Sequence, residues 1–264
     1  MTELRLIQVD AFADRPFAGN PAAVMPLDAW LPDDEMQAIA LENNLSETAF
    51  TVPDTTGEAD YELRWFTPTT EVAMCGHATL ASGHVLIGDR PSVRFRTRKA
   101  GVLVVSRESD VLVLDLPQIR VAPDDNPPLL AALGTPDGQA FLSYAGAEAT
   151  AIVLLDDAAA VRVCAPDMKA LAGIELMAIV TAPGDGKADV VSRVFVPAWG
   201  IDEDPVTGSA HAALVPFWAE RLGGGELSYF QASRRGGHLS GRMAGDRVIL
   251  RSRCVTVIEG RMRF

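Results

Sequence analysis

Cysteine is scarce in this 264-residue chain: Cys75, Cys164 and Cys254 stand singly, with no CxxC spacing. An odd set so placed excludes a disulfide framework and a cysteine-rich zinc cluster, and fits a reducing compartment. Long apolar runs are missing too. None approaches the ~18 residues of a membrane span, and Met1-Thr2-Glu3 opens no basic segment followed by an apolar one. A cytoplasmic protein with no membrane partner is expected. Positive charge is the scarcer sign, with 23 Lys and Arg against 35 Asp and Glu, for a formal net charge of −12. Such a field repels nucleic acid. No GxGxxG or P-loop opens a helix after a strand, and Gly184-Asp185-Gly186-Lys187 lacks the phosphate-loop pattern. His77 and His84 lie seven apart, and His211 and His238 lack ligand spacing, so no metal site is expected either.

What is present is an ordinary globular composition, 48% hydrophobic and 22% charged, enough to build a proper core. The charge is uneven. Residues 225–264 hold eight arginines against Glu226, Asp246 and Glu259, a net of +5 that leaves −17 on the rest. Arg247, Arg251 and Arg253 alternate with apolar residues, which reads as the solvated face of strands.

Period-two alternation marks strands at Leu4–Phe12, Ala22–Met25 and Leu45–Val52, then Val93–Arg98, Val102–Arg107 and Val111–Leu116. A helix is expected after Pro32, with Asp33, Asp34 and Glu35 in its first turn. Pro117–Pro128 reads as a linker. Beyond it come strands near Thr150–Leu155, Met177–Thr181 and Val190–Val196, and a helix near Pro166–Ala172. A helix over Gly208–Leu222 with a bend at Pro216 and three closing strands complete the chain. Two halves follow, 1–120 and 121–264, with the last strand available to complete the first.

The stretch from Phe66 to Leu86 organises the first half. A strand ends, the chain turns, and a helix starts near Gly76 whose apolar and small residues cover every side, as in a core axis. Phe66-x-Pro68 and Met74-Cys75-Gly76-His77-Ala78 recur as Phe195-x-Pro197 and Val206-Thr207-Gly208-Ser209-Ala210, with three extra residues in the second turn. The repeat predicts two halves of one design facing each other. Two helix N-termini on one cleft would hold a carboxylate-bearing substrate by backbone N–H groups. Glu47 shares a strand face with Leu45 and Ala49. It is either a carboxylate whose charge burial disfavours, as in a general base, or an edge residue in water.

Four segments together resemble the phenazine-biosynthesis PhzF-like isomerase family. They are Asp10-Ala11-Phe12 with Pro16-Phe17-Ala18-Gly19-Asn20-Pro21-Ala22-Ala23-Val24, then Asn44-Leu45-Ser46-Glu47-Thr48-Ala49-Phe50, Met74-Cys75-Gly76-His77-Ala78-Thr79, and Asp204-Pro205-Val206-Thr207-Gly208-Ser209-Ala210. The resemblance implies an α+β, diaminopimelate-epimerase-like fold: two pseudo-symmetric halves, each a curved, mostly antiparallel sheet around a central helix, with the active site between them. It implies a homodimeric, cofactor-independent enzyme. Glu47 matches the family's catalytic carboxylate, and His77, Asp204 and Ser209 match polar groups around the substrate. Asn20, between Gly19 and Pro21, reads equally as a turn residue or a substrate contact, and Gly76 and Gly208 are candidate substrate contacts through their backbone. The reaction implied is a carbon-to-carbon proton shift on a small carboxylate-bearing metabolite. A non-catalytic binding or interaction protein and a racemase or epimerase remain as alternatives.

Two-base racemases of this fold use one cysteine from each half, and here the repeat sets Thr207 against Cys75. A threonine hydroxyl is far too weak an acid to replace a thiol, which disfavours the two-cysteine chemistry. Cys75 reads equally as a small buried residue.

Overall fold

The computed structural model describes residues 1–144 and 149–264. The chain divides into two compact units, Met1–Asp115 with Arg251–Phe264, and Leu116–Leu250.

In the first unit, β1 (Glu3–Ala11) pairs antiparallel with β2 (Asn20–Pro26), which runs parallel to β3 (Glu47–Pro53) after the helix α1 (Asp33–Asn43). Strand β4 (Tyr61–Phe66) returns antiparallel to β3 and turns into the two-residue β5 (Glu71–Val72). Helix α2 (Gly76–Leu86) then leads to β6 (Ser92–Thr97), parallel to β4, followed by antiparallel β7 (Val102–Glu108) and β8 (Val111–Pro117). Residues Gly76 to Gly83 of α2 are all buried, so the sheet wraps a helix covered on every side, with His77, Thr79 and Ser82 as its buried polar residues.

The linker expected at Pro117–Pro128 is corrected. It holds the short β9 (Ala122–Pro123) and the start of α3 (Pro127–Leu133). Asn126 caps that helix, its side chain accepting the Leu129 N–H, and Pro127 at the first position loses only an N–H that has no partner there. Strands β10 (Gln139–Ser143) and β11 (Thr150–Leu154) follow. The helix expected near Pro166–Ala172 is α5 (Met168–Leu171), and a further short helix not expected from the sequence, α4 (Ala158–Val163), precedes it; each is capped by an aspartate, Asp167 and Asp157.

The second unit then repeats the topology of the first. Strand β12 (Met177–Pro183) runs parallel to β11, β13 (Val190–Val196) antiparallel to β12, and β14 (Ile201–Asp204) antiparallel to β13. Helix α6 (Gly208–Leu222) leads to β15 (Leu227–Gln231), parallel to β13, and to β16 (Gly237–Ala244). β17 (Arg247–Ser252) and β18 (Cys254–Arg263) end the chain, β18 pairing with β1. Helix α6 runs unbroken through Pro216. The carbonyl that the missing proline N–H would have bonded, Ala212 O, takes the Ile119 N–H instead at 2.9 Å.

The registers give a residue-by-residue equivalence. Thr48 opposes Phe66 as Ala178 opposes Phe195, so Glu47 corresponds to Met177. Phe66 opposes Glu71 as Phe195 opposes Glu203, so Val72 corresponds to Asp204. Tyr61 pairs Phe95 and Leu63 pairs Thr97, as Val190 pairs Tyr229 and Ser192 pairs Gln231.

Two devices are common to both units. Arg64 forks onto Glu71 (2.8 and 2.8 Å) and lies 5.0 Å from the Phe66 ring, while Arg193 forks onto Glu203 (2.7 and 3.0 Å) 4.9 Å from the Phe195 ring. Thr79 Oγ1 donates to Cys75 O (2.5 Å) and His211 Nδ1 bonds Thr207 O (2.7 Å), so each central helix ties its first carbonyl to the side chain four residues on. A third device is exchanged. A Cβ on Gly83 of α2 would sit 2.5 Å from Val105 of β7; at the equivalent contact the large residue is Val215 of α6, and the glycine is Gly241 of β16.

Four of the eight arginines at this end are paired within the first unit. Arg253 pairs with Asp110, Arg251 with Glu108, and Arg261 and Arg263 with Glu3.

Candidate functional site

The first unit gathers Asn20, Glu47, Cys75 and His77. Asn20 opens β2 just after Gly19, whose φ of +65° suits glycine and where a Cβ would collide with the Ala11 carbonyl. Buried Asp10 accepts the Phe17 N–H at 2.8 Å and fixes the loop before it. Glu47 opens β3 after Asn44, which ends α1 in the left-handed conformation. Cys75 caps α2 with extended backbone, and His77 lies in the helix's first turn.

His77 is the hub. Its Nε2 lies 2.9 Å from Glu47 Oε2, with the two side chains 4% and 13% exposed. The approach is an ion contact and not an aligned hydrogen bond: neither atom has a hydrogen-bond partner among the described residues. On the other side of the ring, Asn20 Nδ2 lies 3.2 Å and Cys75 Sγ 3.4 Å from Nδ1. An Nδ1 that accepts from the Asn20 amide leaves the neutral ring's proton on Nε2, the nitrogen nearer the carboxylate.

Burial by itself favours the neutral ring, but Cys75 and Glu47 outweigh it and carry the His77 pKa well above the ordinary histidine value. Burial, reinforced by the Glu47 charge, pushes the Cys75 thiol up to about 11. Near pH 7 the thiol is therefore neutral, and the protonated His77 ring is favoured by the Cys75 sulfur beside Nδ1 and by the Glu47 carboxylate beside Nε2. Once both ring nitrogens carry protons, Cys75 Sγ is an acceptor facing Nδ1. Glu47, Cys75 and His77 also place donor atoms within 4.8 Å of one another, a grouping that their spacing in sequence did not suggest. Ligating a soft cation there would need the thiolate, which the same burial opposes.

The second unit gathers Asp204, Thr207, Gly208 and Gln231. Asp204 ends β14, and its Oδ2 takes a short hydrogen bond from the Thr207 hydroxyl. Gln231 at the end of β15 is fully buried; its Oε1 accepts the Thr207 N–H (2.9 Å), and its Nε2 donates to Asp204 O (2.7 Å) and Thr207 Oγ1 (3.3 Å). Ser209, half-buried, sits one residue after Gly208 in the first turn of α6. His211, beneath it, is driven by burial down to about 4 and stays neutral, donating from Nδ1 to Thr207 O.

Neither N-cap side chain caps its own helix. Threonine is a favoured N-cap, yet Thr207 turns to Asp204, while Cys75 turns to His77. The first-turn N–H groups at Gly76 and Gly208 are thus left without side-chain caps, the arrangement that suits an anion.

The two polar sets do not coincide under the internal equivalence. Glu47 and His77 correspond to Met177 and Ser209; Asp204, Thr207 and Gln231 correspond to Val72, Cys75 and Thr97. What the halves share is scaffold, and what they do not share is polar and clustered at the two helix starts. Of these residues sequence reasoning missed Gln231 altogether and gave Thr207 no partner. A repeated Arg-x-Phe-x-Pro, from Arg64 and Arg193, extends the Phe-x-Pro repeat by two residues and would have lengthened the match.

One topology used twice, each time around a buried helix, defines an α+β protein of the diaminopimelate-epimerase-like class. A hydroxyproline epimerase from Agrobacterium vitis shares that fold, with a TM-score of 0.64 at 13% identity over 98% of this chain and 92% of that one. Residues 9–260 match the family model of the phenazine biosynthesis-like (PhzC-PhzF) proteins. An uncharacterized isomerase of Pseudomonas aeruginosa is 48% identical over 266 residues, covering 99% of each chain. A PhzF-family phenazine biosynthesis protein from Enterococcus faecalis superposes with a TM-score of 0.90 at 41% identity, covering both chains fully. The chain belongs to the PhzF-like isomerase family. Among the described residues no helix is long and apolar enough to cross a membrane.

Proposed function

We propose that this protein is a cofactor-independent isomerase that moves a proton between carbons of a small carboxylate-bearing metabolite, with Glu47 taking the proton and returning it. The observation that carries the reading is the approach of Glu47 Oε2 to His77 Nε2, 2.9 Å apart in a largely buried setting beside the open start of α2. A carbon acid needs a positioned base and a donor for the charge that develops on its conjugated oxygen. Glu47 is the base through Oε1, while Oε2 faces His77. As Glu47 becomes neutral, the proton on His77 Nε2 is released from its ion pair and can serve the enolate. The same carboxyl then returns the proton to a second carbon on the same face. Asp204 and Ser209 act on polar substituents of the substrate, and the backbone at Gly76 and Gly208, with Asn20, acts on its carboxylate.

The position equivalent to Glu47 is Met177, and the one equivalent to Cys75 is Thr207. Neither Met177 nor Thr207 can act as a base at neutral pH, which favours a one-base shift over a racemase. Solvent deuterium wash-in tests the reading. Candidate carboxylates that bind should gain deuterium at carbon, and Glu47→Gln should slow this by roughly 10²–10⁴-fold. Exchange that survives the substitution overturns the assignment of Glu47; binding without exchange in any ligand identifies a binding protein on this scaffold. Retained activity in Cys75→Ala excludes a thiol base. The homodimer implied by the family resemblance is tested by light scattering.

A further inference from the structure

We propose that Gln231 is a positioning residue that acts through Thr207 to hold the Asp204 carboxylate as an oriented, ionised acceptor at the start of α6. The inference rests on the reading above for the use of Asp204, but the arrangement stands on its own geometry. Gln231 has no exposed surface, and its amide makes three hydrogen bonds, two donated at 2.7 and 3.3 Å and one accepted at 2.9 Å. An amide so deeply buried costs several kcal/mol when its bonds are not made, and a Leu or Met of similar volume would avoid that cost if packing were all the position required.

The direction of the hydrogen bonds gives the amide its role. A hydroxyl has one proton to give. Gln231 Nε2 donates into Thr207 Oγ1, so the Thr207 proton is turned outward to Asp204 Oδ2. Gln231 meanwhile holds both ends of the turn, accepting from the Thr207 N–H and donating to the Asp204 carbonyl. A carboxylate oxygen that receives a fixed O–H is held in one rotamer and stabilised in its charged form.

The other half of the molecule shows that the fold does not require this. At the equivalent positions stand Val72, Cys75 and Thr97, and the Thr97 hydroxyl spends its bonds on its own turn, to Gly101 O (2.8 Å) and from Ala100 N–H (2.9 Å). The same helix start, built on the same strands, forms without a glutamine. The three residues therefore form a set peculiar to the second helix start.

The test needs no substrate. The protein is labelled with 13C at the aspartate carboxyls, the Asp204 signal is assigned by its loss in Asp204→Asn, and its titration is followed by NMR. Thr207→Val and Gln231→Met should each raise the Asp204 midpoint by about one pH unit, the size of one charge-assisted hydrogen bond. The double variant should move it no further than the larger single change, and Thr207→Ser should leave it in place. An Asp204 midpoint unmoved by Gln231→Met, or a double shift equal to the sum, overturns the proposal. Should Gln231→Met fail to fold by circular dichroism, Gln231→Asn, whose amide falls short of Thr207, must give the same shift. An absence of deuterium exchange would sink the isomerase reading and leave this result intact.

Discussion

Glu47 Oε2 and His77 Nε2 face each other across 2.9 Å, close enough for the Glu47 charge to favour a proton on the buried His77 ring. The pair has a consequence for stability. His77 holds its proton in the fold well above the ordinary value near 6.5. A folded pKa above the unfolded one contributes stability that is fully present below about pH 6.5 and is lost as pH rises through the folded value. The melting temperature should therefore fall as pH climbs from neutral through the folded His77 value. Glu47→Gln, which removes the carboxylate partner, should flatten that slope; an unchanged slope would place the origin elsewhere.

His211 predicts the opposite slope on the acid side. Burial lowers its pKa to about 4, so the native state refuses a proton that the unfolded chain accepts from about pH 6.5 downward. Stability is lost across that window, by an amount on the order of 3 kcal/mol if the full shift is expressed. Urea denaturation at pH 6.5, 5.5 and 4.5 measures it. In His211→Gln the dependence over this range should shrink, whatever the variant's stability at neutral pH.

The exchanged contact between helix and strand gives a mutational cycle. Gly83→Ala places a Cβ 2.5 Å from Val105 Cγ1 and should cost about 1–3 kcal/mol by overpacking. Val105→Ala alone leaves a cavity and costs a similar amount. Combined, the two should cost clearly less than their sum, because each makes room for the other. Strict additivity in urea denaturation would show that the Gly83 side of the helix relaxes without Val105.

Much of this was legible in the sequence because it is local or periodic. The strand at Glu47 and the buried helix from Gly76 follow from alternation and from small residues on every face. The repeated Phe-x-Pro and the small-residue helix starts announced a doubled design. The misread segments have physical reasons. Pro117–Pro128 looked like a linker because prolines and acidic residues favour turns, but Asn126 and Pro127 are also the cap and first residue of a helix. At Pro216 the sequence supports a helix with a bend, and what it does not show is the chain crossing at Ile119, whose N–H takes the carbonyl that the proline leaves free. Gln231 lies 24 residues from Thr207, and its role depends on strand register and on which amide atom faces which partner. No spacing rule reaches that far.

The ion pair shared by both halves separates scaffold from site experimentally. Arg64 is 3% exposed and is held by Glu71 on one side and Asp33 on the other, at 2.8 Å each. Glu71→Gln removes the better-buried partner and leaves a guanidinium short of charge compensation, a change that should cost on the order of 3 kcal/mol. Replacing both members, Arg64→Met with Glu71→Met, should recover a large part of that loss, because no buried charge is then left unpaired. Deuterium wash-in per folded molecule should stay within a few-fold of wild type in the double variant, since Arg64 and Glu71 have equivalents in Arg193 and Glu203 and belong to what the two halves have in common. A loss of exchange comparable with that of Glu47→Gln, at full folding, would show that the pair does more than hold the turn before α2.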